Sequence, residues 1–125
     1  EAWELGAKLI KADKRREAKA LYDWFEAQFT KDPRADDSLM RVAALYEGDG
    51  DIGKAIKLYQ SVHDRHPEGD QVARALWRIA ELFELQEDCE RAHGVYVYLA
   101  NSYKDTPQGT KAVPVVARLK AECFD

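Results

Sequence analysis

The sequence predicts an all-α fold, an α-solenoid of stacked helix hairpins, from two recurrences and their shared spacing. Ala18, Ala55 and Ala92 recur every 37 residues, and a tyrosine follows each four positions later, as Tyr22, Tyr59 and Tyr96. Twelve positions before each alanine stands another small residue, Gly6, Ala43 or Ala80. A fixed period near this length marks helical repeats, in which no single unit buries its apolar face alone. The neighbours keep the beat: Leu5, Val42 and Ile79, then Leu9, Tyr46 and Phe83, then Phe25, Val62 and Leu99. Small residues at fixed places let two helices approach closely, and large ones fill the space around the contact.

The elements follow in order. Helices are expected over 1–11, 14–30, 35–48, 51–65, 69–85, 88–104 and 110–123, since helix formers abound and no run alternates as a strand does. Asp13, the Gly48–Gly53 stretch, Glu87–Asp88 and the turns at Pro33, Pro67 and Pro107 separate them. Asp70 and Thr110 are placed to accept backbone N–H bonds at the start of the helices that follow. A chain of 125 residues makes one domain, residues 1–125, with a linear core. No stretch approaches the length of a membrane span.

The pattern resembles the tetratricopeptide repeat, with its large-large-small-aromatic run, then Ala-x3-aromatic, then proline. Leu39, Val42, Ala43, Tyr46, Ala55, Tyr59, Val62 and Pro67 fill every signature position of the middle unit. The third unit matches through Leu76, Ile79, Ala80, Phe83, Ala92, Tyr96 and Leu99, with its proline displaced to Pro107. The first is weaker, with Ala2 and Leu9 at large positions and a late Pro33. The resemblance implies a right-handed α-solenoid of about three hairpins, spanning 1–33, 34–67 and 68–107, closed by a capping helix over 108–125. That last segment aligns with the start of the third unit, Pro107 on Pro67 and Arg118 on Arg78. Lys120 and Glu122 replace small and apolar positions there, as on a solubilising cap. Pro114 then has to lie near the beginning of its helix, where a missing N–H costs little. The opposite end has no cap, and Glu1 is not an initiator methionine, as in an excised or processed fragment.

The turn style narrows the resemblance. "HPEGDQVARALWRIAELF" and "YKDTPQGTKAVPVVARLK" are similar to the bacterial YbgF/CpoB (Tol-Pal-associated) and BamD-like tetratricopeptide proteins. Their closing pattern is matched by Ala92, Tyr96, Leu99, Tyr103, Thr106, Pro107, Gly109 and Ala112. This likeness implies a periplasmic or outer-membrane-associated protein that holds other envelope proteins. Cys89 and Cys123 bear on that point, since each lies 17 residues from Thr106. An antiparallel hairpin brings both to one level, roughly 25 Å from the bend. Either they form a disulfide worth roughly 3–4 kcal/mol, or they are two separate cysteines acting as small apolar fillers.

Motifs for chemistry fail on context. Gly48-Asp-Gly50-Asp-Ile-Gly53-Lys54 imitates a dinucleotide fingerprint and a phosphate loop, but a helix precedes it where a strand is needed. Asp49 and Asp51 would repel phosphate, and Ala55 replaces the metal-binding Ser or Thr. The later ligands of a calcium loop are also missing. His63 and His66 supply too few donors for a metal, and His93 has no partner in the pattern. Ser38, Ser61 and Ser102 carry no signature of activation, and the Glu81/Glu84 pair sits on an ordinary charged helix face. A net charge of −4 without a basic stripe argues against nucleic acid. No cofactor or metal is expected.

In the tetratricopeptide family the first helix of each hairpin lines the concave face. The resemblance therefore places Trp3, Met40 and Trp77 in a groove, one per repeat. Ala7, Ala44 and Glu81 stand beside them, then Ile10, Glu47 and Glu84, with Asp37 and Arg74 at the rim. Such a stripe suits a peptide or helix with apolar anchors and some positive charge. The same tryptophans would equally serve as packing between helices. The expected function is a non-enzymatic protein–protein adaptor that binds a partner segment, in a bacterial envelope complex. A self-assembly module acting through the uncapped N-terminal helix, and an accessory domain of a larger enzyme, are the competing readings.

Overall fold

The computed structural model describes residues 15–28, 34–65, 67, 69 and 71–124. Among them the chain forms α1 (Arg15–Gln28), α2 (Arg34–Gly48), α3 (Ile52–Arg65), α4 (Val72–Leu85), α5 (Cys89–Ser102) and α6 (Pro107–Cys123). No described residue is in a strand, so the chain is all-α. The helix expected over 1–11, and with it Trp3, Ala7 and Ile10, lies outside the described residues, as do Asp13, Pro33, His66 and Asp70. Two compact units divide the chain, residues 1–71 and 72–125.

In the first unit α1 packs on α2 and α2 on α3. Tyr22, Val42 and Leu45 form its cluster, with Tyr46 and Leu58 partly buried against it. Leu39, Val42 and Ala43 of α2, and Ala55, Tyr59 and Val62 of α3, are all buried. These are the positions the repeat singled out, so the beat is a packing register. Ala43 and Ala55 are wholly inaccessible, as two methyl groups at a close helix–helix approach must be. Burial also raises the Tyr22 pKa above its ordinary value, against the Arg41 guanidinium that lowers it.

Between α2 and α3, Gly50 takes a left-handed backbone with φ +82°. Its N–H bonds back to the Glu47 carbonyl at 3.0 Å, and the Asp51 N–H to that of Tyr46 at 2.9 Å, closing the end of α2. The Asp51 carboxylate then accepts the Lys54 N–H at 3.2 Å and caps α3. The glycine motif is thus a helix–turn–helix joint, as its context required.

In the second unit α5 packs against both α4 and α6. Leu76, Ile79, Ala80 and Phe83 of α4, with Ala92, Tyr96 and Leu99 of α5, are buried. The α4–α5 joint copies the earlier one. Glu87 N–H reaches the Glu84 carbonyl at 2.9 Å and Asp88 N–H reaches that of Phe83 at 2.9 Å. Asp88 caps α5 through the Arg91 N–H at 3.2 Å. Even the ring contacts repeat: Lys54 lies 5.4 Å from the Tyr46 ring centre and Arg91 5.9 Å from that of Phe83.

The last helix departs from expectation at its start. It begins at Pro107, and Thr106 caps it in place of Thr110. The Thr106 hydroxyl accepts the Gly109 N–H at 3.0 Å and donates to the Tyr103 carbonyl at 2.6 Å. Proline at the first helical position needs no N–H, so the helix starts earlier than the threonine pattern implied. Thr110 instead donates its hydroxyl to the Thr106 carbonyl at 3.2 Å. A Cβ on Gly109 would overlap the Tyr103 carbonyl, which is why this position is glycine. The earlier start leaves Pro114 inside α6. It cannot donate to the Thr110 carbonyl, a defect of about 3 kcal/mol in a helix interior.

Candidate functional site

The outward stripe of α4 follows from its inward one. Val72, Ala73, Leu76, Ile79, Ala80 and Phe83 are buried, so Arg78, Glu81, Glu84 and Leu85 line the other side at helical spacing. These four line an open cavity of about 380 Å³. Leu85 is 68 % exposed there, the largest exposure among the exposed large apolar side chains of the described residues. A second cavity of about 210 Å³ is lined by Glu84, Glu87, Cys89, Leu119 and Glu122. Glu84 lines both.

Hydrogen bonds hold Glu84 in place. Tyr96 of α5 donates its hydroxyl to Oε1 at 2.7 Å, and Arg118 of α6 donates to Oε2 at 3.3 Å. Arg118 also reaches Glu122 at 3.3 Å, and Arg78 reaches Glu81 at 3.1 Å. Burial and the Glu84 bond together push the Tyr96 pKa well above the usual phenol value. The hydrogen bond to Glu84 leads in raising that of Arg118. Arg78 pairs with Glu81, and Arg118 with Glu84 and Glu122, while the Glu87 side chain lines the second cavity, so carboxylates outnumber guanidinium groups across the two cavities that Glu84 joins.

The expected groove residues are distributed as follows. Trp77 is half-buried and meets Tyr96 edge-on, ring centres 5.1 Å apart, so it packs between α4 and α5. Glu81 and Glu84 line the cavity, and Arg74 is exposed. Met40 is half-buried and Ala44 exposed on α2 of the first unit. Glu47 accepts the Tyr59 hydroxyl, the counterpart of the Tyr96–Glu84 bond. Asp37 accepts from the Gln71 amide at 2.6 Å. His63 contacts Asp64 at 3.1 Å, and His93 meets the Phe124 ring edge-on at 4.9 Å.

Arg78, Leu85, Glu87, Arg118 and Glu122 were not foreseen at the site. The helical spacing of Leu85 from Arg78 and Glu81 was a usable signal. Nothing local announces Arg118, which stands 34 residues from Glu84.

Cys89, the first residue of α5, and Cys123, the last of α6, form a disulfide, with Cα atoms 6.1 Å apart. No helix of the described residues is long and apolar enough to cross a membrane.

Known proteins place the fold. Residues 37–69 match the family model of the tetratricopeptide repeat. The repeat resemblance is supported by that match; a YbgF/CpoB or BamD-like kinship is not part of it. No curated protein matches the chain. Among solved structures, PcrH in complex with the chaperone binding region of PopD is similar, with TM-score 0.68 and 15 % identity over 97 % of this chain and 90 % of that one. The Yersinia enterocolitica type III secretion translocator chaperone SycD gives TM-score 0.66 and 14 % identity over 99 % of this chain and 84 % of that one. BtubC (BKLC) from P. vanneervenii gives 0.67 and 22 %, over 99 % of this chain and 55 % of that one. At such identities the likeness concerns the fold, an all-α helical repeat.

Proposed function

We propose that the protein is a non-enzymatic adaptor that docks a segment of a partner protein on the outward face of α4 and α6. One observation carries the reading: an exposed leucine stands in an open concavity beside the carboxylates of Glu81 and Glu84, which hydrogen bonds already hold in position. Fixed groups lose little rotamer freedom on binding, which favours affinity. The partner segment carries an apolar side chain for Leu85 and a nearby Lys or Arg for Glu81 and Glu87. The solved complex of PcrH with a binding region of PopD supports segment binding as a use of this fold. The Cys89–Cys123 bond supports an oxidising compartment such as the bacterial envelope.

Selection of displayed peptides on the oxidised protein tests this reading. The expected outcome is enrichment of Lys or Arg within four residues of Leu, Ile or Phe. Binding of the selected peptide should fall at least tenfold in Glu81→Lys and in Leu85→Asp. Peptides without that pattern, or binding indifferent to both substitutions, would sink it.

A further inference from the structure

The Cys89–Cys123 disulfide closes the open end of the α5–α6 hairpin, whose other end is closed by the turn at Tyr103–Thr106. It joins two helices that bury few of their own residues. Of the seventeen residues of α6, only Gly109, Ala112 and Leu119 are buried, whereas the fourteen of α4 bury eight. The aligned positions explain the contrast: Ala80, Leu82 and Phe83 of α4 correspond to Lys120, Glu122 and Cys123 of α6. Pro114 divides the helix further, by breaking its hydrogen-bond ladder. The half before it is held by the Thr106 cap, the Gly109 approach and buried Ala112. The half after it is held by buried Leu119, the Arg118–Glu84 pair, the Phe124–His93 contact and the disulfide.

That second half also carries Arg118, Leu119 and Glu122, which shape the surface around Glu84. Cys89 and Cys123 are both half-buried, and Cys89 lines the open cavity of about 210 Å³, so a small thiol has a route to the bond. The chain has no other cysteine.

We propose that this disulfide is a thiol-reducible clasp: it holds the half of α6 beyond Pro114 against the second unit, and its reduction releases that half and disables the docking face. The control of docking rests on the function proposed above; the clasp itself does not. Chemically, a thiolate of an external dithiol attacks one sulfur and forms a mixed disulfide while the other cysteine leaves as a thiolate. The second thiolate of the dithiol displaces the first cysteine, closing a disulfide of its own. Two electrons pass from dithiol to protein, and the two protons lost by the dithiol end on Cys89 and Cys123. Released, the far half of α6 withdraws Arg118 from Glu84 and uncovers the surface under Leu119. The near half and α4 stay folded, because their burial does not depend on the bond.

Hydrogen exchange read by mass spectrometry on the full chain, oxidised and then reduced with dithiothreitol, tests the clasp. Amides of residues 115–123 should exchange at least tenfold faster after reduction, while those of α2, α3 and α4 change less than twofold. Cys89→Ser with Cys123→Ser should match the reduced protein and ignore dithiothreitol. Unchanged exchange over 115–123 would overturn the clasp. So would acceleration spreading through α4, which would make the bond a staple of the whole unit. The peptide selected on the oxidised protein should bind at least tenfold more weakly after reduction. Faster exchange with unaltered peptide binding would overturn the control of docking and leave the clasp. Failure of any peptide to bind the oxidised protein would overturn the docking face and the control of it together, and exchange would still decide the clasp.

Discussion

The α2–α3 and α4–α5 hairpins carry the same joint, 37 residues apart, and differ in which residue fills its left-handed position. Gly50 occupies the left-handed site in the first, at φ +82°, and Glu87 occupies it in the second, at φ +60°. Around that site the carbonyl acceptors, the aspartate cap, the tyrosine–glutamate bond and the cation over the ring all recur. A left-handed residue with a Cβ costs about 1 kcal/mol or more relative to glycine. The joint therefore tolerates strain in the unit where the side chain lines the Glu84 cavity. Strain of this kind is informative when it sits at a site.

Predictions sharpen the contrast, beginning with glycine. Gly109→Ala should destabilise the second unit by about 3 kcal/mol in a urea titration, since its Cβ meets immovable backbone. Gly53→Ala, in open space on α3, should stabilise by about 1 kcal/mol instead. Equal effects would mean that the turn at Tyr103 relaxes easily. Pro114→Ala comes next, restoring a hydrogen bond in α6 and adding up to ~3 kcal/mol of local stability. Amide exchange beyond residue 114 should slow accordingly; no change would show that the proline does not weaken that half. The smallest effect belongs to the joint itself. Glu87→Gly should gain and Gly50→Glu should lose about 0.5–1 kcal/mol by denaturant midpoint. Loss in both would mean that Glu87 makes contacts worth more than its strain.

Much of the fold was legible because a repeat states its contacts several times. Ala43, Ala55, Ala80 and Ala92 read as close-packing spacers, and all four are inaccessible. The site was less legible. Glu47 and Glu84 read as groove acids, yet both accept a tyrosine hydroxyl from the facing helix. Trp77 read equally as a groove anchor or as packing between helices, and its ring meets that of Tyr96. An outward-looking position in a helical register says only which face a residue shares, not which side chain of the next helix will reach it.

From the sequence alone came the all-α class, the phase of every described hairpin and the dismissal of the glycine motif, because each depends on local periodicity. The tertiary structure decided the meeting of Glu84, Tyr96 and Arg118, the burial balance between α4 and α6, and the placement of Pro114 within its helix. Those depend on side chains brought together across turns, where a distance of 34 residues in sequence becomes 3.3 Å in space. Packing sets that distance, and no local pattern encodes it.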